Sequence, residues 1–236
     1  MRSEWHCYSN TEPHCSYMTG SNCFLPIFDP ALDTFDSLRA RSPFCFSVIL
    51  AAAARAEDAM VNSANICQIC QNEARRLAAE TLFLGVPQLE DVQAMAILAA
   101  FSERTWFAIG HATQMALDLG LQHDLPRLLK RMNSNDHTTR KDDRILIARA
   151  RTWLTVLHIE LEIAAGTAHQ PRLEHIDPTK LRLLSTHPFM RPADTRILAI
   201  VDAVELRGTF MISTPRLRTD RCKGDFTKRS RTRKIF

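Results

Sequence analysis

From about residue 33 onward, apolar residues recur at helical spacing, three or four positions apart, and the polar residues between them fall on the opposite face. Leu38 precedes a Ser42-Pro43 pair, and Pro suits the first turn of a helix because its missing N–H would have no partner there. The helix that follows carries Phe44, Val48, Ala51 or Ala52, Arg55 and Ala59. A second begins at a Ser63 cap, sets Ile66, Cys70, Ala74, Leu77 and Thr81 or Leu82 on one face, and is stopped by Gly85 and Pro87. A third, Leu89 to about Ser102, turns Val92, Met95, Ala96, Ala99 and Ala100 inward. After Arg104 a fourth runs through Trp106, Ile109, Gly110, Thr113, Ala116 and Leu117 to Gly120, which lacks a Cβ and so permits a left-handed C-cap.

Residues 121–141 are polar, with Pro126 and the Asn133-Ser-Asn-Asp136 run, and predict a loop. The longest helix follows from about Asp142 to Ala165, with Ile145, Ala148, Thr152, Val156, Ile159 and Ile163 on one stripe and Gly166 as its end. Pro171, Pro178, Pro188 and Pro192 then punctuate a connection in which no full helix is expected, before Ile197 to Leu206 resumes the helical period. Strand-like alternation never persists. The expected fold is an all-α, multi-helix bundle of about six or seven helices. Residues 1–30 form an irregular leader, 31–207 the helical domain and 208–236 a basic, disordered tail.

Composition agrees with a helical globular chain. The 236 residues are 45% hydrophobic and 24% charged, with seven Gly and two Tyr, few for an all-β protein. The formal charge of +4 changes its meaning once it is divided along the chain. Nine Lys or Arg against two Asp between Arg216 and Phe236 give that tail +7, leaving the body at −3. Basicity concentrated in this way reads as a solvated tail, not as a nucleic-acid face. The longest apolar run, Phe44 to Ala54, contains Ser47 and is about half of the ~20 residues that span a bilayer. The amino terminus lacks the apolar stretch of a secretory signal, and seven Cys, an odd number, suit reduced thiols, so an intracellular location without membrane is expected.

Candidate chemistry is sparse. Cys67-Gln-Ile-Cys70 has the spacing of half a zinc site or a redox pair, yet Cys70 belongs to an apolar stripe and no second Cys-x-x-Cys exists, so core packing is the expected role. His158 and Glu162 stand at i and i+4 on the longest helix with Glu160 between them; a helix supplies only two of the ligands a metal requires, so a polar stripe is expected. Asp142-Asp143 has no third carboxylate one turn on and suits a helix start, where acids complement the dipole. No Gly-rich phosphate loop or nucleophile elbow is present. The expectation is a binding protein, not an enzyme.

Several stretches, read together, resemble the regulatory domain of fungal zinc-cluster transcription factors, the middle homology region or fungal-specific transcription factor domain. Asp33-Thr-Phe-Asp-Ser-Leu-Arg-Ala-Arg-Ser-Pro-Phe44 with Val48-Ile-Leu-Ala-Ala-Ala-Ala-Arg55 is similar to its opening helix, and Leu89-Glu-Asp-Val-Gln-Ala-Met-Ala-Ile-Leu98 to a later one. The most specific stretch is Trp106-Phe-Ala-Ile-Gly-His-Ala-Thr-Gln-Met-Ala-Leu-Asp-Leu-Gly-Leu121, after which Gln122 stands between Leu121 and His123 and departs from the usual ending. Arg149-Ala-Arg-Thr-Trp153, Gly166 to Pro171 and Met190-Arg-Pro-Ala-Asp194-x-Arg196 follow in order. The signature positions are thus Trp106, Gly110, Ala112, Ala116, Gly120, Arg149, Arg151, Trp153 and Gly166, with small residues expected to let helices approach and arginines expected to pair at helix junctions.

The resemblance implies a nuclear regulator of transcription by RNA polymerase II that responds to a small effector or to partner proteins, including the transcription machinery and related zinc-cluster factors. In that family DNA is read by a six-cysteine cluster binding two zinc ions. Cys7, Cys15 and Cys23, eight apart, do not supply one, so a truncated form without its own specific DNA reader, and with no cofactor in this chain, is expected. The second reading is a helical module that binds a small molecule between its helices.

Overall fold

Ser42 opens the first long helix by accepting a hydrogen bond on its hydroxyl oxygen from the Cys45 N–H (3.1 Å), with Pro43 behind it in the first turn. The computed structural model describes residues 17–213 apart from 62–63, 84, 102–104, 134–140, 168, 174–175 and 177. Among them there is no strand. A π-helical turn, Tyr17–Ser21, and a short α-helical turn, Asn22–Phe24, lead into α1 (Phe35–Arg41), α2 (Pro43–Val61), α3 (Ala64–Thr81), α4 (Leu89–Phe101) and α5 (Thr105–Asp118). Then come α6 (Asp124–Asn133), α7 (Lys141–Thr167), α8 (Pro178–Leu184) and α9 (Pro192–Ser213). No helix among the described residues is long and apolar enough to cross a membrane.

The core is organised on α4 and α7. Val92, Gln93, Ala94, Met95, Ala96, Ile97 and Ala99 are all buried, so α4 is enclosed on nearly every side, with α2, α5 and α7 packed around it. Its small Ala residues allow those neighbours to come close. α7 is likewise surrounded, by α4, α5, α6 and α9. The single stripe expected on α7 is therefore corrected: Ile145 is 62% exposed, while Ala150, Arg151, Leu154, Leu157 and Leu161 are buried beside Thr152, Val156 and Ile159.

Three further expectations change. The polar stretch after Gly120 is not all loop, because Leu121–His123 form a 3-10 turn and α6 follows with Leu125, Leu128 and Leu129 buried. Pro126 had argued against helix, but it sits in the first turn, where no intrahelical N–H is needed. Pro178 and Pro192 likewise open helices instead of merely interrupting a connection, and α9 starts five residues before Ile197. The leader is irregular only in its pattern. Tyr17, Leu25, Ile27 and Phe28 are buried, and Arg191 donates to the Phe28 (2.5 Å) and Pro26 (3.2 Å) carbonyls. The tail expected from 208 begins later, since α9 runs on to Ser213; residues 1–16 and 214–236 lie outside the described residues.

Two glycines expected to end helices behave differently. Gly120 does so, with φ 70°, in the left-handed region. Gly166 lies inside the last turn of α7, which runs on to Thr167, and a Cβ there would meet nothing within 4 Å. Opposite outcomes are expected in denaturant unfolding: Gly120→Ala loses about 1–2 kcal/mol to left-handed strain, whereas Gly166→Ala gains about 0.5–1 kcal/mol because the unfolded chain has less freedom to lose.

Candidate functional site

The positions that carry the family resemblance gather around the junctions of α5, α7 and α9. Arg149 reaches back from α7 to α6, donating to Asp124 Oδ2 (2.6 Å), and to the C-terminal end of α5, donating to the Leu119 carbonyl (2.8 Å). Asp124 is itself buried, so this pair fixes the sharp turn after Gly120. Two residues further, Arg151 lies inside the bundle and donates through two nitrogens to the two oxygens of Asp194 in the first turn of α9 (2.7 and 2.8 Å), the forked geometry that guanidinium and carboxylate share. Arg191 adds its backbone N–H and a guanidinium nitrogen to the same carboxylate (both 2.9 Å). Burial pushes the Asp194 carboxyl up, but the hydrogen bonds from Arg151 and Arg191 prevail and hold it below the usual carboxylate range.

Gly110 was expected to let two helices approach. What it admits instead is a guanidinium: a Cβ on Gly110 would stand 3.1–3.3 Å from the head of Arg172, on the connection after α7. Arg172 donates its Nη1 and its backbone N–H to the fully buried Glu160 (2.8 and 2.9 Å), and its head lies 3.6 Å from the centre of the Trp106 ring. His169 stacks on that ring at 4.3 Å. Trp106 is thus covered by two residues of one connection. Ala112 and Ala116 are fully buried on α5 where it packs on α4 and α7, and Trp153 is buried on α7. Gly166 joins none of these contacts.

His158 and Glu162 come together on the wall of an open cleft of about 420 Å³ between α4, α7 and the turn at residues 21–25. Phe24, Leu25, Phe101, Ile159 and Ile163 make its surface mainly apolar, and the exposed Ala100, expected inward, borders it. Glu160, on the far side of α7, faces Arg172 and not this cleft.

Among the described residues no group of three His, Cys, Asp or Glu could hold a metal ion. Cys67 and Cys70 are buried, the Gln71 amide donates to Cys67 Sγ (3.1 Å), and burial pushes the Cys70 thiol up. Asp143 accepts from Arg131 (2.8 Å) and joins α6 to the start of α7, while Asp142 is exposed.

Asp124 and Arg172 gave no local signal, and Glu160 stood out only as part of the polar stripe with His158 and Glu162, since each pairs with a residue at least 12 positions away. Compared with protein-family models, with curated proteins and with solved structures, the chain matches none.

Proposed function

We propose that this chain is a regulatory helical module of the zinc-cluster transcription-factor type, one that works by binding an effector or partner protein and not by catalysing a reaction. The observation that carries the reading is the cleft beside α7. At about 420 Å³ it has the size of a small-molecule site, typically ~300–1,000 Å³, and the right make-up for one: apolar walls with a few polar groups to orient the ligand. His158 and Glu162 are those groups, one turn apart on a helix pinned by buried charge pairs at Arg149, Arg151 and Glu160. An effector held there would contact α4, α7 and the leader turn together, and would favour whichever arrangement of the three it fits best. The reading carries nuclear localisation with it.

A reporter assay separates this proposal from a small-molecule-binding module with no role in transcription. Tethered to a heterologous DNA-binding domain and an activation domain, the chain is expected to change reporter output at least about threefold, and Ala100→Trp, which fills the cleft from the exposed face of α4, is expected to alter that level. Output equal to that of the tether alone, for both proteins, would overturn the transcriptional reading.

A further inference from the structure

A second and smaller cleft, about 150 Å³, opens between α2, α3 and α4. Its floor is apolar. Val48, Ala51 and Ala52 from α2 and Ile97 from α4 are buried, and Phe101 borders one end. The two alanines leave the space that a larger side chain would fill. The mouth has the opposite character. Gln71 and Arg75 stand one turn apart on the same face of α3, and Arg55 reaches in from α2.

Arg55 donates to the Phe101 carbonyl, which places a cation at the C-terminal end of α4, where it complements the helix dipole. That bond uses one of the five N–H donors of a guanidinium, and the others remain in a fixed fork. Among the described residues, no carboxylate lines the cleft. Two cations and an amide therefore converge over an apolar trough to which the described residues contribute no anion. Like charges at the rim of a low-dielectric trough raise the potential felt by an anion.

We infer that this cleft binds a small amphipathic carboxylate, an acyl or aryl acid whose apolar body lies along Val48, Ala52 and Ile97 and whose carboxylate is held by Arg55 and Arg75, with the Gln71 amide beside them. The charge at the mouth selects an acid over a neutral molecule of the same shape. The floor selects an organic acid over an inorganic anion, which would leave the apolar surface wet. Guanidinium matches carboxylate geometry with two parallel bonds, so the head group is oriented as well as attracted. The site is separate from the cleft beside α7, with Phe101 at the border of both.

Calorimetric titration of the full chain with octanoate, octan-1-ol and inorganic phosphate tests the assignment. Octanoate is expected to bind saturably at one site, and octanol and phosphate at least about tenfold more weakly, the loss of one charge-assisted contact or of the apolar one. Arg75 is exposed and has no ion-pair partner among the described residues, so Arg75→Gln is expected to keep the wild-type circular dichroism spectrum while weakening octanoate about tenfold and leaving octanol unchanged. Ala100→Trp, which fills the other cleft, is expected to leave octanoate affinity as it is. Octanoate binding no tighter than octanol, an Arg75→Gln protein with unchanged octanoate affinity, or loss of binding in Ala100→Trp would each overturn the assignment.

Discussion

Replacing Arg151 with Met is expected to lower the unfolding free energy by about 3–5 kcal/mol, the range for removing one side of a buried ion pair. Both partners are sealed from water, at 4% exposure for Arg151 and 2% for Asp194. Met keeps much of the apolar stem and volume, so the loss comes from a carboxylate left inside the bundle with Arg191 as its remaining cation. Denaturant unfolding at pH 7 measures it. Arg151→Met combined with Asp194→Leu is expected to regain most of the loss, because two apolar groups need no charged partner. A single variant within about 0.5 kcal/mol of wild type would show that Arg191 alone satisfies Asp194.

The same pair sets a pH dependence. Asp194 is held below the ordinary carboxylate value in the folded protein, so its contribution is fully present above the unfolded value of about 4 and is lost as pH falls through the depressed folded value. Without Arg151, burial is opposed by one arginine only, and the carboxyl rises. The gap in stability between Arg151→Met and wild type is therefore expected to be widest near neutral pH and to narrow as pH is lowered toward about 4. A gap that stays constant over that range would mean that the lost arginine acted through packing and not through charge.

Arg172→Met is expected to cost about 2–3 kcal/mol, less than the first substitution because Arg172 is 35% exposed and water can approach the orphaned Glu160. Glu160, fully buried, keeps the Arg172 backbone N–H but loses its cation. Trp106 loses the guanidinium lying on its ring at 3.6 Å. Its emission is expected to shift to the red as the connection carrying His169 loosens. Unchanged emission together with full stability would count against a structural role for this latch.

Much of the helical arrangement was legible because long amphipathic segments announce themselves. The runs at 43–61, 64–81, 89–101 and 105–118 have apolar residues at helical spacing and recognisable ends at Ser42-Pro43, Pro87 and Gly120. α6 is hidden in the sequence although Leu121, Leu125, Leu128 and Leu129 have the right period, because Pro126 and the polar tract beyond it have the character of helix breakers. A proline's effect depends on its place within the helix, and that place is not known until the helix start is known. The leader residues Tyr17, Leu25, Ile27 and Phe28 show no period at all; Arg191, just before α9, and Arg196 within it tie the leader to the bundle.

Of the two clefts, the sequence showed only fragments. His158 and Glu162 stood out as a polar pair on a helix, but nothing nearby in the chain placed Phe24, Leu25 and Phe101 opposite them. Arg55, Gln71 and Arg75 lie on two different helices and were unremarkable until α2 and α3 packed side by side. By itself, the sequence determined the class of fold, the extent of most helices and the left-handed stop at Gly120, since these follow from spacing and from backbone freedom within a few residues. Only the tertiary structure decided which charges are buried together, what fills the space above Gly110 and where clefts remain, because a buried ion pair or a cavity is a relation between segments that meet only when the chain has folded.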